Sequence, residues 1–404
     1  MLNRRLFLGA TGATMAFPCL LLADAPVNQR FVLVILRGAM DGLHAVPPYA
    51  DPDYRNLRAA LALGENDGPD GILDLDGRFG LHPRLSSLKT WFDQGELAVV
   101  HAVATPYRDR SHFDGQDLLE NGATAPHASQ SGWLNRAIGL LGGQQRLGLA
   151  LGEQVPLVLR GDVPVASWAP KSMPSAGADF VALVQAMYQG APDLRKTLDD
   201  AVAAIGMTQQ ALGDVMVGDV MVGAGSAVGG GRRNAGPILA EAAGKLLSTP
   251  AGPRIAVLEL SGWDTHSAQG LGSGRMGQAL QQLNDSLTAL KEALGPAWIQ
   301  TVTMTATEFG RTAAPNGSGG TDHGTASAVF LSGGAVAGKR VITDWPGLRP
   351  SALYQSRDLA PTADLRGIVK GILMAHFGLP QDAMNRIVFP TSGQVAPMRD
   401  LVRV

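Results

Sequence analysis

Apolar runs alternate with amphipathic segments along most of the chain. The clearest run, 30–36, is rich in β-branched residues and predicts a strand buried on both faces. The amphipathic segments have apolar residues at helical spacing and predict helices. We expect further strands at 97–103, 255–260, 301–305 and 328–331, and helices at 83–94, 275–294 and 364–376. This alternation predicts an α/β fold with a mostly parallel, doubly wound sheet.

The segment from about 160 to 250 interrupts this alternation. It contains a helical stretch near 177–205, a near-repeat at 214–223 and a glycine-rich run at 225–231. Two copies of a repeat are too few for a solenoid. We interpret the segment as an insertion or cap within a single domain that covers 26–404.

The composition is that of a folded protein. Of the 404 residues, 45% are apolar and 17% are charged, which allows a sizeable core and argues against disorder. The net charge is −2 and there is no long basic run. The sequence therefore lacks the electrostatic footprint of nucleic-acid binding, and we expect no nucleic-acid partner.

The N-terminus is typical of an export signal. Arg4 and Arg5 precede a short apolar stretch that ends in small residues, which predicts a twin-arginine-type signal peptide over 1–25. The alternative is a buried N-terminal helix. Export predicts a periplasmic or secreted protein. The one cysteine, Cys19, lies in the signal, so the mature chain would have no cysteine ligand or nucleophile. We expect no stable membrane span after signal removal, and the sequence identifies no protein partner.

Ionisable residues gather where the predicted strands end. They are Asp41, Asp264, His266, Glu308 and His323, with Asp322 beside the last. In open α/β sheets, ligands bind beyond the carboxyl ends of the strands. Residues i and i+2 of an extended segment point the same way, so Asp264 and His266 are candidates for one metal ion.

Carboxylate and imidazole ligands together suit Zn, Mn or Fe, whereas an oxygen-only site favours Mg or Ca. We expect a divalent metal, with Zn, Mn or Ca as candidates. The alternative for Asp41 and Glu308 is helix capping, and the alternative for His323 is a hydrogen bond within its loop.

The segment 108–122 predicts a helix that begins near Ser111 and ends near Gly122. A helix N-terminus stabilises anions, and Arg108 and Arg110 are candidates to hold phosphate or sulfate oxygens. Ser111 is a candidate nucleophile activated by a metal. The alternative is that Ser111 only caps the helix.

Six short motifs resemble those of the DUF1501 family, exported bacterial proteins of uncharacterised function. They are LRGAMDGL at 36–43, RSHFDGQD at 110–117, GWLNR at 132–136, GWDTH at 262–266, TEFGR at 307–311 and GGTDHGT at 319–325. Together they span nearly all of the mature chain.

That family is in turn similar to the alkaline phosphatase and sulfatase superfamily. The resemblance implies an alkaline-phosphatase-like three-layer sandwich, with a mostly parallel sheet between helices and a metal site at one edge. It implies that Ser111 is the nucleophile and that Asp41 binds metal. Asp264, His266 and His323 match further metal ligands of the superfamily.

The sequence departs from the superfamily at Phe309. There the superfamily has a histidine after an acidic residue, which is Glu308 in this chain. The Asp264-to-His266 spacing is also shorter than in phosphatases. We therefore expect one metal instead of two, with Arg311 supplying positive charge.

These observations predict an exported metal-dependent hydrolase that acts on phosphate or sulfate esters of a small molecule or polymer. Ser111 would attack, and Arg311 or Arg110 would stabilise the developing charge. One alternative is an inactive envelope binding or assembly protein on the same scaffold. Another is a metal-free serine esterase, although no Gly-x-Ser-x-Gly elbow surrounds Ser111.

Overall fold

A computed structural model describes most of the chain. It covers residues 28–64, 68, 71–142, 147–170, 178–192, 194–195, 198–199, 235–250 and 252–403. The predicted signal, the near-repeat at 214–223 and the glycine-rich run at 225–231 lie outside the described residues. Among the described residues, no helix combines the length and the apolar character needed to cross a bilayer.

The described residues form one nine-stranded sheet and a small two-stranded sheet. The strands are β1 (Arg30–Arg37), β2 (Leu73–Asp74), β3 (Gly80–Leu81), β4 (Leu97–Ala104), β5 (Gly148–Leu151), β6 (Ala166–Trp168), β7 (Ile255–Ser261), β8 (Thr301–Ala306), β9 (Ser327–Ser332), β10 (Arg340–Ile342) and β11 (Ala363–Asp364). The large sheet has the order β10-β4-β9-β8-β1-β7-β5-β6, and β11 also pairs with β4. In the described ladder, β9 is antiparallel to β4 and β8, and the other pairs of this sheet are parallel.

Helices cover both faces of this sheet. They are α1 (Gly42–Ala45), α2 (Tyr54–Arg58), α3 (Ser86–Asp93), α4 (His112–Asn121), α5 (Trp133–Leu140), α6 (Ala178–Met187), α7 (Ala235–Ser248), α8 (Arg275–Leu294), α9 (Leu365–Phe377) and the short α10 (Gln381–Ala383). One hydrophobic core joins the sheet to α3, α7 and α8, and a second joins it to α4, α5 and α9. The predicted three-layer α/β sandwich with a mostly parallel sheet is confirmed.

Strand β1 shows why the central strands are continuous apolar runs. Val32, Val34 and Leu36 belong to the first core, whereas Phe31 and Leu33 belong to the second. Successive side chains of a strand point to opposite faces, so a strand covered on both sides needs apolar residues at every position.

Several elements were not predicted from the sequence. Strands β5, β6, β10 and β11 have only two to four residues each, too few for a clear pattern. Strand β6 pairs with β5, and α7 joins the same core as α8, so both ends of the predicted insertion belong to the main layers. A cap in the remainder of that segment stays a prediction.

The strand directions bring the sequence motifs to one edge of the sheet. β1, β7 and β8 are parallel neighbours, so the loops after them leave the sheet on the same side. β4 runs in the same direction, because it is antiparallel to β9, as β8 is. The loop that precedes β9 therefore lies at this edge too. This is why a residue before a strand, His323, can meet residues that follow other strands.

Candidate metal centre

Four side chains converge at this edge of the sheet. Asp264 Oδ1 lies 3.7 Å from His112 Nε2, 3.2 Å from His266 Nε2 and 3.6 Å from His323 Nε2. The Nε2 atoms of His266 and His323 are 2.8 Å apart. Ligand atoms of His112, Asp264 and His323 all lie within 4.8 Å of one another. We call these four residues the strand-end cluster.

Each imidazole of the strand-end cluster uses its Nδ1 atom to contact an oxygen acceptor. The Nδ1 atoms of His112, His266 and His323 lie 2.7, 3.2 and 2.9 Å from their acceptors, which are Glu308 Oε1, Asp322 Oδ1 and the carbonyl oxygen of Arg110. Carboxylate and carbonyl oxygens accept hydrogen bonds, so each Nδ1 carries a proton. In the neutral ring, Nε2 then has a free lone pair, and all three Nε2 atoms face Asp264.

A divalent cation fits this set of donors. A tetrahedral zinc ion with bonds of about 2.0–2.1 Å spaces its ligand atoms about 3.3–3.4 Å apart. The four separations that involve Asp264 Oδ1 or the His266–His323 pair run from 2.8 to 3.7 Å. His112 Nε2 is buried and has no hydrogen-bond partner in the described residues. Two lone pairs 2.8 Å apart also repel unless a proton or a cation lies between them.

His112 is held in place by Glu308. Glu308 is fully buried, and its Oε1 atom accepts hydrogen bonds from His112, Gln116 and the backbone N–H of Gly38. Burial raises the pKa of Glu308, but these bonds, led by that from His112, outweigh burial and lower it. Metal-binding histidines commonly donate their second N–H to a carboxylate in this way. Glu308 therefore contacts the strand-end cluster through His112.

Two carboxylates change the pKa of His112. Asp264 and then Glu308 raise the pKa of His112 to about 9.

The ring of Phe309 packs against His112 with a centroid distance of 5.0 Å and against His323 at 5.2 Å. At the position where the superfamily resemblance expects a histidine, this chain therefore has an apolar support beneath two cluster imidazoles.

Asp264 is the anionic member of the cluster. It forms a short ion pair with Arg311, whose side chain is buried. Burial raises the pKa of Asp264, but contacts from His112, His323 and Arg311 outweigh burial and lower it. The Asp264 side chain is 49% exposed and that of His266 is 44% exposed, so the cluster is open to solvent on this side.

The guanidinium of Arg311 forms hydrogen bonds to several groups of the protein. Its guanidinium donates to the carbonyl oxygens of Ala39 at 2.8 Å, Gly38 at 2.6 Å and Thr321 at 3.1 Å, besides Asp264. It thus ties the ends of β1 and β7 to the loop before β9. A direct role for Arg311 in stabilising substrate charge stays a prediction that this placement does not favour.

Arg110 is also paired within the protein. Its Nη2 atom lies 2.8 Å from Asp358 Oδ2 and 2.7 Å from Gln355 Oε1. Its backbone has a positive φ of 61°, and its carbonyl oxygen accepts the hydrogen bond from His323. Arg110 therefore contributes its backbone to the cluster, and its predicted contact with a substrate oxygen remains untested.

Asp41 lies apart from the strand-end cluster. It is 1% exposed, and its Oδ2 atom is 2.5 Å from Arg58 Nη2 and 2.8 Å from Gln269 Nε2. Its Oδ1 atom accepts from the backbone N–H of His44 at 3.2 Å and caps α1. Burial raises the pKa of Asp41, but the charge of Arg58 and the hydrogen bonds from Gln269 and Arg58, among other contacts, together outweigh burial and lower it. The carboxylate has protein partners, and its predicted role as a metal ligand is not supported by this placement.

Ser111 caps α4 between two residues that contact the cluster. Its neighbour Arg110 binds His323 through the backbone, and its other neighbour is His112. The Ser111 side chain makes no hydrogen bond to the first turn of α4, unlike most serine N-caps. Its backbone N–H donates to Tyr107 Oη at 3.0 Å. The Ser111 side chain contacts the Tyr107 hydroxyl instead, so the capping hydrogen bond that was the alternative to a nucleophilic role is absent.

His112 is the site residue that the sequence reasoning missed. It lies in the RSHFDGQD motif at 110–117, in which only the neighbouring Ser111 and Arg110 were predicted as site residues. The available signal was a histidine at the first position of a helix that follows a buried strand. Its ring direction depends on how α4 packs on Glu308 and Phe309, and no local pattern shows that contact.

Comparisons with known proteins establish the family. The model of the family described as "Protein of unknown function (DUF1501)" matches residues 83–388, so the chain belongs to DUF1501, as predicted. No curated protein matches the chain.

The solved structures that are similar to the chain at low identity include the following three. Ps i-CgsB in complex with k-i-k-neocarrahexaose is 10% identical, with a TM-score of 0.42, and the match covers 88% of this chain and 73% of that one. The C-terminal periplasmic domain of EcEptC from Escherichia coli is 11% identical, with a TM-score of 0.40 over 93% and 90% of the two chains. The lipoteichoic acid synthase LtaP from Listeria monocytogenes is 9% identical, with a TM-score of 0.37 over 93% and 77%.

Proposed function

We propose that this protein is an exported metal-dependent hydrolase of phosphate or sulfate esters. The observation that carries the proposal is the convergence of three imidazole Nε2 atoms on one carboxylate oxygen. Because the pKa of His112 is raised to about 9, a bound cation would displace the proton from its Nε2 atom and be shared among these donors. Three nitrogen donors and one oxygen donor favour Zn or Mn over Ca, which prefers oxygen ligands.

The metal, Ser111 and the N-terminus of α4 would each contribute differently to the reaction. A bound divalent metal supplies Lewis-acid stabilisation of an ester oxygen. Ser111 is the proposed nucleophile. Its Oγ would lose its proton to solvent and attack the phosphorus or sulfur atom, while the bond to the alcohol breaks in line and the alcohol takes a proton from solvent. Water would then hydrolyse the seryl ester and restore Ser111. The N-terminus of α4, which begins at His112, carries partial positive charge and stabilises an anion held beside Ser111.

This division differs from the sequence-based hypothesis in one respect. Arg110 and Arg311 are both paired with carboxylates of the protein, Asp358 and Asp264. We therefore propose that they position the cluster, and that the stabilisation of charge falls to the bound metal and the α4 N-terminus.

The test uses mature protein purified in defined metal. Activity is measured on a panel of aryl phosphate and aryl sulfate esters, with and without a chelator. We expect metal-dependent turnover of at least one ester class, and we expect Ser111→Ala to reduce kcat at least 100-fold while metal content stays unchanged. Roughly this loss is typical when general acid–base or nucleophilic assistance is removed. Ser351→Ala, at an exposed serine that is not a member of the cluster, is the matched control.

Other results would point to the two alternatives. Metal binding without turnover of any ester would favour an inactive binding protein on the same scaffold. Activity that persists in chelator would favour a metal-free serine esterase. Unchanged activity in Ser111→Ala would contradict the proposed nucleophile.

A further inference from the structure

The strand-end cluster depends on two loops that are far apart in the sequence. One loop follows β7 and contains Asp264 and His266, and the other precedes β9 and contains His323. The Nε2 atoms of His266 and His323 must stay within reach of one cation, and they lie 2.8 Å apart. The two loops are joined by backbone hydrogen bonds, such as that from the Thr321 N–H to the carbonyl oxygen of Thr265 at 3.1 Å. Side-chain contacts beneath the loops add to this link.

Gln269 makes such a contact with both loops through one atom. Its Oε1 atom accepts a hydrogen bond from Thr265 Oγ1 at 3.0 Å and from Thr321 Oγ1 at 2.8 Å. Thr265 lies between Asp264 and His266, and Thr321 lies two positions before His323. Gln269 and both threonines are 0% exposed. A shift of either loop would therefore leave a buried polar group without its hydrogen bond, which is unfavourable.

Asp41 and Arg58 fix which way the Gln269 amide faces. Gln269 Nε2 donates to Asp41 Oδ2 at 2.8 Å, and Arg58 Nη2 lies 2.5 Å from the same oxygen. An ionised carboxylate only accepts hydrogen bonds, so it selects the NH₂ side of the amide. The carbonyl side must then face the threonines. Arg58 Nη1 donates to the carbonyl of Ala313 at 3.1 Å and anchors the ion pair to the segment after β8.

We infer that Gln269, oriented by the Asp41–Arg58 pair, is a positioning residue that sets the spacing of the two loops of the strand-end cluster. Asp41 acts through Gln269, which gives a role to a carboxylate that lies outside the cluster. The inference rests on the proposed metal site and identifies what pre-organises it. Loss of support behind metal ligands typically reduces metal affinity about 10- to 100-fold.

The test replaces the two hydroxyl donors and leaves every proposed ligand intact. Thr265→Val with Thr321→Val keeps the side-chain shape and removes both hydrogen bonds to Gln269. Thr265→Ser with Thr321→Ser restores the hydroxyls. Thr303→Val is the matched control, because Thr303 is equally buried and its Oγ1 has no hydrogen-bond partner in the described residues.

Binding of Co²⁺ to the metal-free full chain is measured by calorimetry, together with the visible spectrum of the bound ion. We expect the valine pair to bind Co²⁺ about 10- to 100-fold more weakly and to shift its spectrum. The serine pair and Thr303→Val should match the wild type. A structural role alone would lower the unfolding midpoint of the metal-free protein but leave the spectrum of the folded protein unchanged.

The outcomes separate this inference from the proposed function. If the wild type binds Co²⁺ and the valine pair binds it equally well with the same spectrum, Gln269 has no positioning role, and the metal site stands. If the wild type binds no Co²⁺, the metal site and the inference both fail. The single variants Thr265→Val and Thr321→Val replace the pair if the double variant does not fold, and each should weaken binding.

Discussion

Histidine has two contrasting environments in this protein. The strand-end histidines are His112, His266 and His323, and the buried histidines are His44, His82 and His101. The strand-end histidines lie at the sheet edge, with side chains 23%, 44% and 24% exposed. The buried histidines are 0% exposed. The same side chain therefore serves a candidate reactive site in one place and the core in the other.

The position of the proton on the ring distinguishes the strand-end histidines from His101. The strand-end histidines donate from Nδ1 and present Nε2 to Asp264. His101 instead has Nε2 at 3.0 Å from the carbonyl oxygen of Val46, while its Nδ1 accepts from the backbone N–H of Ala102 at 2.8 Å. Its ring packs against Phe79 and Trp345. Both nitrogens of His101 have protein partners, so no lone pair is left for a ligand.

The largest expected effect of this contrast is acid destabilisation caused by the buried histidines. Burial lowers the pKa of His44 to about 4, of His82 to about 3 and of His101 to about 4. The unfolded chain, with histidine pKa values near 6.5, takes up protons first as pH falls. Stability is therefore complete above about pH 6.5 and is lost towards pH 4, by about 1.4 kcal/mol per pH unit for each histidine.

Urea unfolding of the metal-free protein between pH 7 and pH 5 measures this loss. His112 opposes this loss near pH 7 and adds no slope below about pH 6, because its pKa of about 9 lies above that of the unfolded chain and its stabilising contribution is complete once the unfolded chain is also protonated. His101→Gln should reduce the proton uptake on unfolding at pH 5 by about one proton. Stability that stays constant from pH 7 to pH 5 would contradict the neutral, buried state of these rings.

The next largest effect is expected on metal binding at Asp264. Asp264→Asn keeps an oxygen for Arg311 but removes the charge at the centre of the cluster. We expect metal affinity to fall by more than the roughly 100-fold that mutation of a supporting partner costs. Calorimetry with Zn²⁺ measures it, and His127→Ala, which changes a histidine with a 73% exposed side chain outside the cluster, should bind as the wild type does. Equal affinity in Asp264→Asn would exclude this carboxylate as a ligand.

A smaller effect is expected from Glu308→Gln. The amide is similar in shape, but it no longer holds the Nδ1 proton of His112 with a charged acceptor. Metal affinity should fall about 10- to 100-fold, less than for Asp264→Asn. The same titration measures the change. A loss larger than that of Asp264→Asn would indicate that Glu308 binds the metal directly, as the sequence-based hypothesis proposed.

The smallest effect is expected from His266→Ala. His266 is the most exposed of the strand-end histidines, and water can take its place at a metal ion. We expect metal affinity to fall about tenfold, on the order of the weakest effects of losing a supporting group. A loss as large as that of Asp264→Asn would show that water does not replace this ligand.

The sequence predicted the central layer well because burial on both faces leaves a visible pattern. β1, β7 and β8 were each predicted to within one residue at either end. Once those strands are parallel, the edge position of Asp264, His266 and Glu308 follows from topology alone. His323 was predicted at the same edge from the motif that precedes β9. It lies there because β9 runs antiparallel to its neighbours, so the start of β9 is at the edge where the other strands end.

The remaining parts of the site depend on contacts that no local pattern shows. Asp41 follows a strand as a superfamily metal ligand would, but its partner Arg58 lies 17 positions further along, on the short helix α2. Gln269 meets Thr321 across 52 positions. The ring of His112 is held by Glu308, which lies 196 positions away in the sequence. These pairings depend on the packing of segments that are distant in the sequence.

The most direct test of the central claim is the location of a bound metal. Crystals of the mature protein grown with Zn²⁺ would be measured at the zinc absorption edge. The arrangement predicts an anomalous peak about 2.0–2.2 Å from His112 Nε2, His323 Nε2 and Asp264 Oδ1. A zinc-saturated crystal with no peak among these atoms, or with zinc only at other residues, would contradict it.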